Sequence, residues 1–174
     1  MLPSLTDPAA RKISPPVLPV SALPPQALEA LFSPYGLQPA WVADDQPIPG
    51  SYWGEPEAGL VGHQLWLRAD TPVHSALHEG SHWLLMPPER RAQLHTDACG
   101  SDTEENAVCL LQCVLADRLA GYSRARCFAD MDAWGYHFLL GSAAAWFAGD
   151  SADARAWLRT QRPALWARLP PEAQ

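Results

Sequence analysis

Residues 74–85 read His74-Ser75-Ala76-Leu77-His78-Glu79-Gly80-Ser81-His82-Trp83-Leu84-Leu85, and within them His78, Glu79 and His82 form one HExxH pattern. On an α-helix, residues four apart stand one turn along and only about 40° around, so both imidazoles reach the same point. Two neutral imidazoles are good donors to Zn²⁺, whose catalytic sites take a third protein ligand and a water. A glutamate directly after the first histidine can hydrogen-bond that water and take its proton. The pattern therefore predicts a helix with two metal ligands, His78 and His82, and a general base, Glu79. Zn²⁺ is the expected cofactor.

The flanks favour the helix. Asp70-Thr71-Pro72 reads as its start, with Asp70 or Thr71 as N-cap and Pro72 in the first turn. Ala76, Leu77, Trp83, Leu84 and Leu85 supply apolar neighbours, and Pro87-Pro88 stops it. His74, in the first turn, is expected to be exposed. Upstream, Leu60 to Arg68 alternates as a strand, with Leu65 and Leu67 on one face and Trp66 on the other. It is expected to lie at a sheet edge beside the metal, where backbone pairing would hold an extended substrate. His63 on it reads as an exposed residue.

Working outward, Pro25 to Phe32 reads as a short amphipathic helix. Leu37 to Ala43 reads as a strand placed at an edge by Pro39. Ser101 to Asn106 has the composition of a helix start, and the helix continues to Gly121. One or two helices follow from Arg124, interrupted near Gly135, and Asp153–Thr160 and Pro163–Leu169 close the chain. The expected fold class is α+β: a small sheet, an active-site helix and a mostly helical C-terminal half. Residues 1–24 read as a proline-rich arm lying across one domain of residues 25–174.

Composition bounds the partners. The chain has 174 residues, 48% apolar with eight tryptophans, enough for a sizeable core and against a disordered chain. Its 12 basic and 19 acidic residues give a net charge of −7 with no Lys/Arg cluster, which argues against nucleic acid. No apolar run is long enough to span a bilayer, and residues 1–20 lack the hydrophobic segment of a signal peptide. A cytoplasmic protein without a membrane partner is expected. Cys99, Cys109, Cys113 and Cys127 lack zinc-ribbon or CxxC spacing and read as reduced thiols. No pattern specifies an oligomeric state.

A third metal ligand must come from elsewhere. A histidine six residues after His82, with a glycine at 85, would complete one known pattern, but Leu85 and Pro88 stand there. Glu104 and Glu105 both open the next long helix. Ala107, Val108, Leu111, Val114 and Leu115 form its apolar stripe, and Glu104 lies one turn before the first two. Glu105 leads instead to Cys109 and Gln112, on the flank. A carboxylate ending a buried stripe needs a partner, which a metal would be. Glu104 is thus the favoured third ligand. Tyr136 and His137, after the helix break, are candidate donors to an oxyanion. Asp102 is a candidate to orient a ligand imidazole.

HExxH followed by a glutamate at the start of a second helix resembles the gluzincin arrangement of zinc metallopeptidases. The Glu104-Glu105-Asn106-Ala107-Val108-Cys109 segment is similar to the Glu-Ala-Asn-x-Phe-Ala stretch of cytosolic ImmA/IrrE-like bacterial peptidases. On that match Glu104 corresponds to the glutamate ligand. The resemblance covers about residues 60–120. Gly80 stands where those proteins carry a bulky apolar residue, and Val108 where they carry an aromatic. The resemblance implies a minimal zincin fold. Together with the motif it implies a Zn²⁺-dependent hydrolase of peptide or protein substrates, with Glu79 as base and then proton donor to the leaving amine. The alternative is a non-catalytic zincin-like domain with a structural metal that binds a partner. Glu79, which a structural site has no need of, favours the enzyme.

Overall fold

Residues 60–67 alternate in polarity, but the chain reverses between them at Gly62, whose φ of +58° suits glycine best. The stretch is therefore a hairpin and not one strand. The computed structural model describes residues 16–174; most of the proline-rich arm, residues 1–15, lies outside them. In chain order the elements are α1 (Ala27–Phe32), β1 (Gln38–Trp41), β2 (Gly59–Val61), β3 (Gln64–Leu67) and α2 (Val73–Leu85). There follow α3 (Pro88–Ala92), α4 (Asp102–Ala116), α5 (Arg124–Trp134), α6 (Ala143–Gly149), α7 (Ala152–Gln161) and α8 (Pro163–Trp166). The fold is mixed α+β, a small sheet against a larger helical part.

The sheet order is β1-β3-β2. β1 runs parallel to β3 from Gln38 opposite Gln64 to Trp41 opposite Leu67. β2 runs antiparallel to β3, with Leu60 opposite Leu65. Pro39, which cannot donate to a ladder, thus sits on an edge strand as its chemistry requires. The strand leading into the HExxH helix is central, however, which corrects the expectation of an edge there. β2 is the second edge, and its outward groups at Leu60 are already used. The Leu60 N–H donates to the Gly50 carbonyl at 3.4 Å, and its carbonyl accepts from the Thr96 N–H at 2.9 Å. Two loops thereby cover this edge at Leu60.

Leu60, Leu65 and Leu67 of the sheet share one core with Val73, Leu77, Leu84 and Leu85 of α2 and Val108, Leu111 and Val114 of α4. Each full burial of such a side chain is worth about 1.5–3 kcal/mol. α4 packs on α2, α5 and α7, and every residue from Ala107 to Ala116 is buried. A helix enclosed all round has no single inward stripe. Cys109 and Gln112, expected on a flank, are as buried as Val108 and Leu111.

α2 begins with Pro72 itself at the N-cap and no side-chain cap. The Thr71 hydroxyl instead accepts from the Arg68 N–H at 3.0 Å. The α2 N-terminus is held from outside: Val73 N–H donates to Leu18 O and Val20 N–H to Thr71 O. Residues 18–20 of the arm therefore lie against this helix start. Behind α2, a Cβ on Gly80 would meet Phe32 Cζ at 2.2 Å. The Phe32 ring, wholly buried, occupies the space that a bulky residue at position 80 would need.

Cys109, Cys113 and Cys127 are buried free thiols and Cys99 an exposed one. Among the described residues, no helix is long and apolar enough to cross a membrane.

Candidate metal centre

The four-residue spacing of α2 turns His78 and His82 toward α4, their ring centroids 4.8 Å apart. Between them lies the carboxylate of Glu105. His78 Nε2 is 2.9 Å from Glu105 Oε1, and His82 Nε2 is 3.2 Å from Oε2. Ligand atoms of these three residues all fall within 4.8 Å of one another. Donors at about 2.1 Å in a tetrahedral set stand about 3.4 Å apart, so a small inward adjustment would let all three share one ion. Two imidazoles and one carboxylate are also a donor set that suits zinc.

Glu104 is not part of this group. Its Oε1 and Oε2 accept from the two Arg90 Nη groups at 2.8 and 3.0 Å, and Arg90 also donates to the Ala98 carbonyl. The sequence expectation that the buried carboxylate needs a partner holds, but a forked guanidinium from α3 meets the need. Glu105, one residue further around the helix, faces α2. The placement of Glu104 beside the imidazoles is thus corrected to Glu105. Ser101, the N-cap, accepts from Glu104 N–H at 3.2 Å, which fixes the register of both carboxylates.

One residue missed in the sequence orients the site. Gln112 Nε2 donates to the His74 carbonyl at 3.0 Å. A carbonyl only accepts, so the amide has one consistent orientation, with Oε1 toward His78 Nδ1 at 3.0 Å. Nδ1 then carries one proton, and Nε2, the atom facing Glu105, is where a cation could take the place of the second. This is the outer partner that a metal-binding histidine needs. The role foreseen for Asp102, which lies exposed at the start of α4, falls to Gln112. A glutamine within an otherwise apolar helix stretch was the signal available for it.

The charges are coupled. Burial raises the Glu105 pKa, but the two imidazoles outweigh it and hold the carboxyl well below the usual range. For His78, burial opposes charge, and the neighbouring Tyr136 and Glu105 more than reverse it. Both shifts describe protons that a cation would replace. Glu79 is buried beside the pair, and loss of solvation raises its pKa against the lowering pull of His82 and His78.

These residues line one cleft of about 380 Å³, together with Glu57, His74, Trp134, Tyr136 and the 96–100 loop. Gly135, at φ +98°, ends α5 in a left-handed turn and lets Trp134 and Tyr136 both face the cleft. The Tyr136 ring stands 6.1 Å from that of His78, and burial keeps its hydroxyl protonated far above the ordinary tyrosine range. His137, the next residue, is exposed and does not line the cleft. Its expected place in the site is corrected, because the turn that brings residues 134 and 136 inward directs 137 outward. His74 is likewise corrected, from exposed to 1% exposed. His63 is exposed in the β2–β3 turn.

No family model, curated protein or solved structure matches this chain.

Proposed function

We propose that this protein is a zinc-dependent metallohydrolase, most simply a peptidase, with Zn²⁺ held by His78, His82 and Glu105. The observation that carries this reading is the convergence of both imidazole Nε2 atoms on one carboxylate, with Glu79 in the same cleft wall. When bound, the ion would supply Lewis-acid activation of water and of the scissile carbonyl. Glu79 would take the proton from the attacking water and hand it to the leaving amine. Its burial supports this, since a carboxyl with a raised pKa keeps a proton more readily for the second transfer. Tyr136, kept neutral, would donate its hydroxyl proton in a hydrogen bond to the developing oxyanion. Gln112 would hold His78 in the tautomer that leaves Nε2 available.

Glu79 supports catalysis over a purely structural metal, because it lies in the cleft and outside the group His78, His82 and Glu105. The binding of an extended substrate would not rely on the Leu60 backbone groups, which two loops already engage. Side-chain contacts within the cleft would carry more of it. The test is metal analysis of reconstituted protein by mass spectrometry. About one zinc per chain is expected in the wild type and in Glu79→Gln, and loss of tight binding in His78→Ala and His82→Ala. Reconstituted wild type without metal would remove the proposal.

A further inference from the structure

A second group of metal-ligating side chains lies away from the cleft, where α4 packs on α5. On α5, Cys127 and Met131 stand four residues apart and so share a face. Cys113 of α4 meets that face. Its Sγ is 3.7 Å from the Met131 Sδ, and the Cys127 Sγ is 3.7 Å from the same atom. The two thiols also hydrogen-bond to each other. All three residues are wholly buried, and both cysteines are free thiols. Three sulfurs from two helices thereby form one closed triangle.

The spacing is that of ligands around one ion. Metal–sulfur bonds of about 2.3 Å put the sulfurs of a three- or four-coordinate site about 3.8–4.0 Å apart. Two thiolates and a thioether are soft donors, the kind that select Cu(I). Zn²⁺ would need a fourth ligand. Solvent does not reach the triangle to supply one, and Cys109, one turn before Cys113, hydrogen-bonds to His78 instead. A monovalent ion between two thiolates leaves one negative charge, and a cation stands beside it. Arg124 Nε donates to the Cys113 carbonyl at 3.3 Å. Burial raises the Cys113 pKa well above the ordinary thiol value, and the Arg124 charge opposes that rise.

We infer that Cys113, Cys127 and Met131 form a binding site for one Cu(I) ion, separate from the centre of His78, His82 and Glu105. The ion takes the place of two thiol protons. Each S–H bond breaks, the sulfur it leaves binds copper, the Met131 thioether donates a lone pair, and both protons pass to solvent. No electron is transferred, so no oxidant or reductant is needed. Because the triangle is enclosed, the ion enters when α5 lifts from α4 or as the chain folds. Once bound, it ties the two helices together. The site stands on its own sulfur geometry and does not rest on the peptidase reading.

The experiment titrates the full chain with Cu(I) under anaerobic conditions, in competition with a chromophoric Cu(I) chelator, and examines the bound copper by X-ray absorption. Cys99→Ser is the reference chain, because it removes the exposed thiol. About one equivalent per chain is expected, with a ligand shell of sulfur alone, three atoms at about 2.3 Å. Met131→Leu, a volume-conserving change that cores tolerate, should weaken binding by at least about tenfold and reduce the shell to two sulfurs. Cys127→Ser should abolish tight binding, whereas Cys109→Ser should stay within about threefold of the reference. If Cys127→Ser does not fold, the shell of the reference chain and the affinity of Met131→Leu still decide. Copper lost wholly to the chelator, or Met131→Leu binding as tightly as the reference, would overturn the inference. So would a shell containing nitrogen or oxygen, which would put the ion at the imidazole pair.

Discussion

The cleft has two ends built in different ways. At the metal end, His78, Glu79, His82, Glu105 and Gln112 all stand on two packed helices, and each position follows from helix geometry and burial. At the aromatic end, Glu57, Trp53, Asp97 and Trp134 come from loops or from the last residue of a helix, and long-range folding brings them together. His74 alone belongs to both, on α2 by position and among the aromatic rings by contact. The contrast sets a rigid helical half against one assembled from loops around that scaffold.

The largest expected effect separates the two ends by function. Once a cleaved peptide is in hand, Glu79→Gln should retain zinc and lower kcat by about 10²–10⁴, the usual contribution of a general base. Steady-state kinetics and metal analysis on the same preparations check both. A Glu79→Gln variant that cleaves at the wild-type rate would break the division.

Next in size is the support behind the imidazoles. Gln112→Leu removes the acceptor at His78 Nδ1 and should weaken zinc binding by about 10–100-fold in chelator competition. Unchanged zinc affinity in Gln112→Leu would mean that this amide does not orient His78.

A third effect concerns the seating of α2. Gly80→Ala would place a methyl group 2.2 Å from Phe32 Cζ. Overpacking of that kind costs about 1–3 kcal/mol, which outweighs the helix-propensity gain of about 1 kcal/mol for replacing glycine by alanine. Chemical denaturation should show the loss, and adding Phe32→Leu should recover part of it. Additive losses in the double variant would contradict the contact.

A smaller effect close to neutral pH, growing as the solution is acidified, is a pH dependence at the aromatic end. Burial pushes the His74 pKa down to about 3 from 6.5. Above 6.5 His74 is neutral in both states. As pH falls below 6.5 the unfolded chain takes a proton that the folded chain refuses, so stability is lost by up to about 1.4 kcal/mol per pH unit until about pH 3. His74→Gln should flatten that slope relative to wild type in metal-free protein. Parallel slopes would place His74 in water.

How much of this could be read from the sequence follows the same line. The HExxH helix, the edge position of Pro39 and the helix break at Gly135 were legible because each rests on local backbone chemistry. The hairpin at Gly62 was hidden because alternation continues across a two-residue turn. Glu105 was missed for a different reason. Apolar periodicity identifies an inward face only when the opposite face meets water, and α4 has none from Ala107 to Ala116. Arg90, which satisfies Glu104, lies 14 residues away on α3, and nothing in the spacing links them. His74 and His137 exchanged their expected places because burial in the first turn of α2 and beyond Gly135 depends on which loops fold over them.

The most direct test is the zinc affinity of two neighbouring variants, Glu105→Gln and Glu104→Gln, measured by chelator competition against wild type. If Glu105 completes the coordination, its loss should weaken binding by at least about tenfold. Glu104→Gln, which disturbs only the Arg90 pair, should stay within about threefold. The reverse order, with Glu104→Gln weakened and Glu105→Gln unchanged, would contradict the assignment of the third ligand.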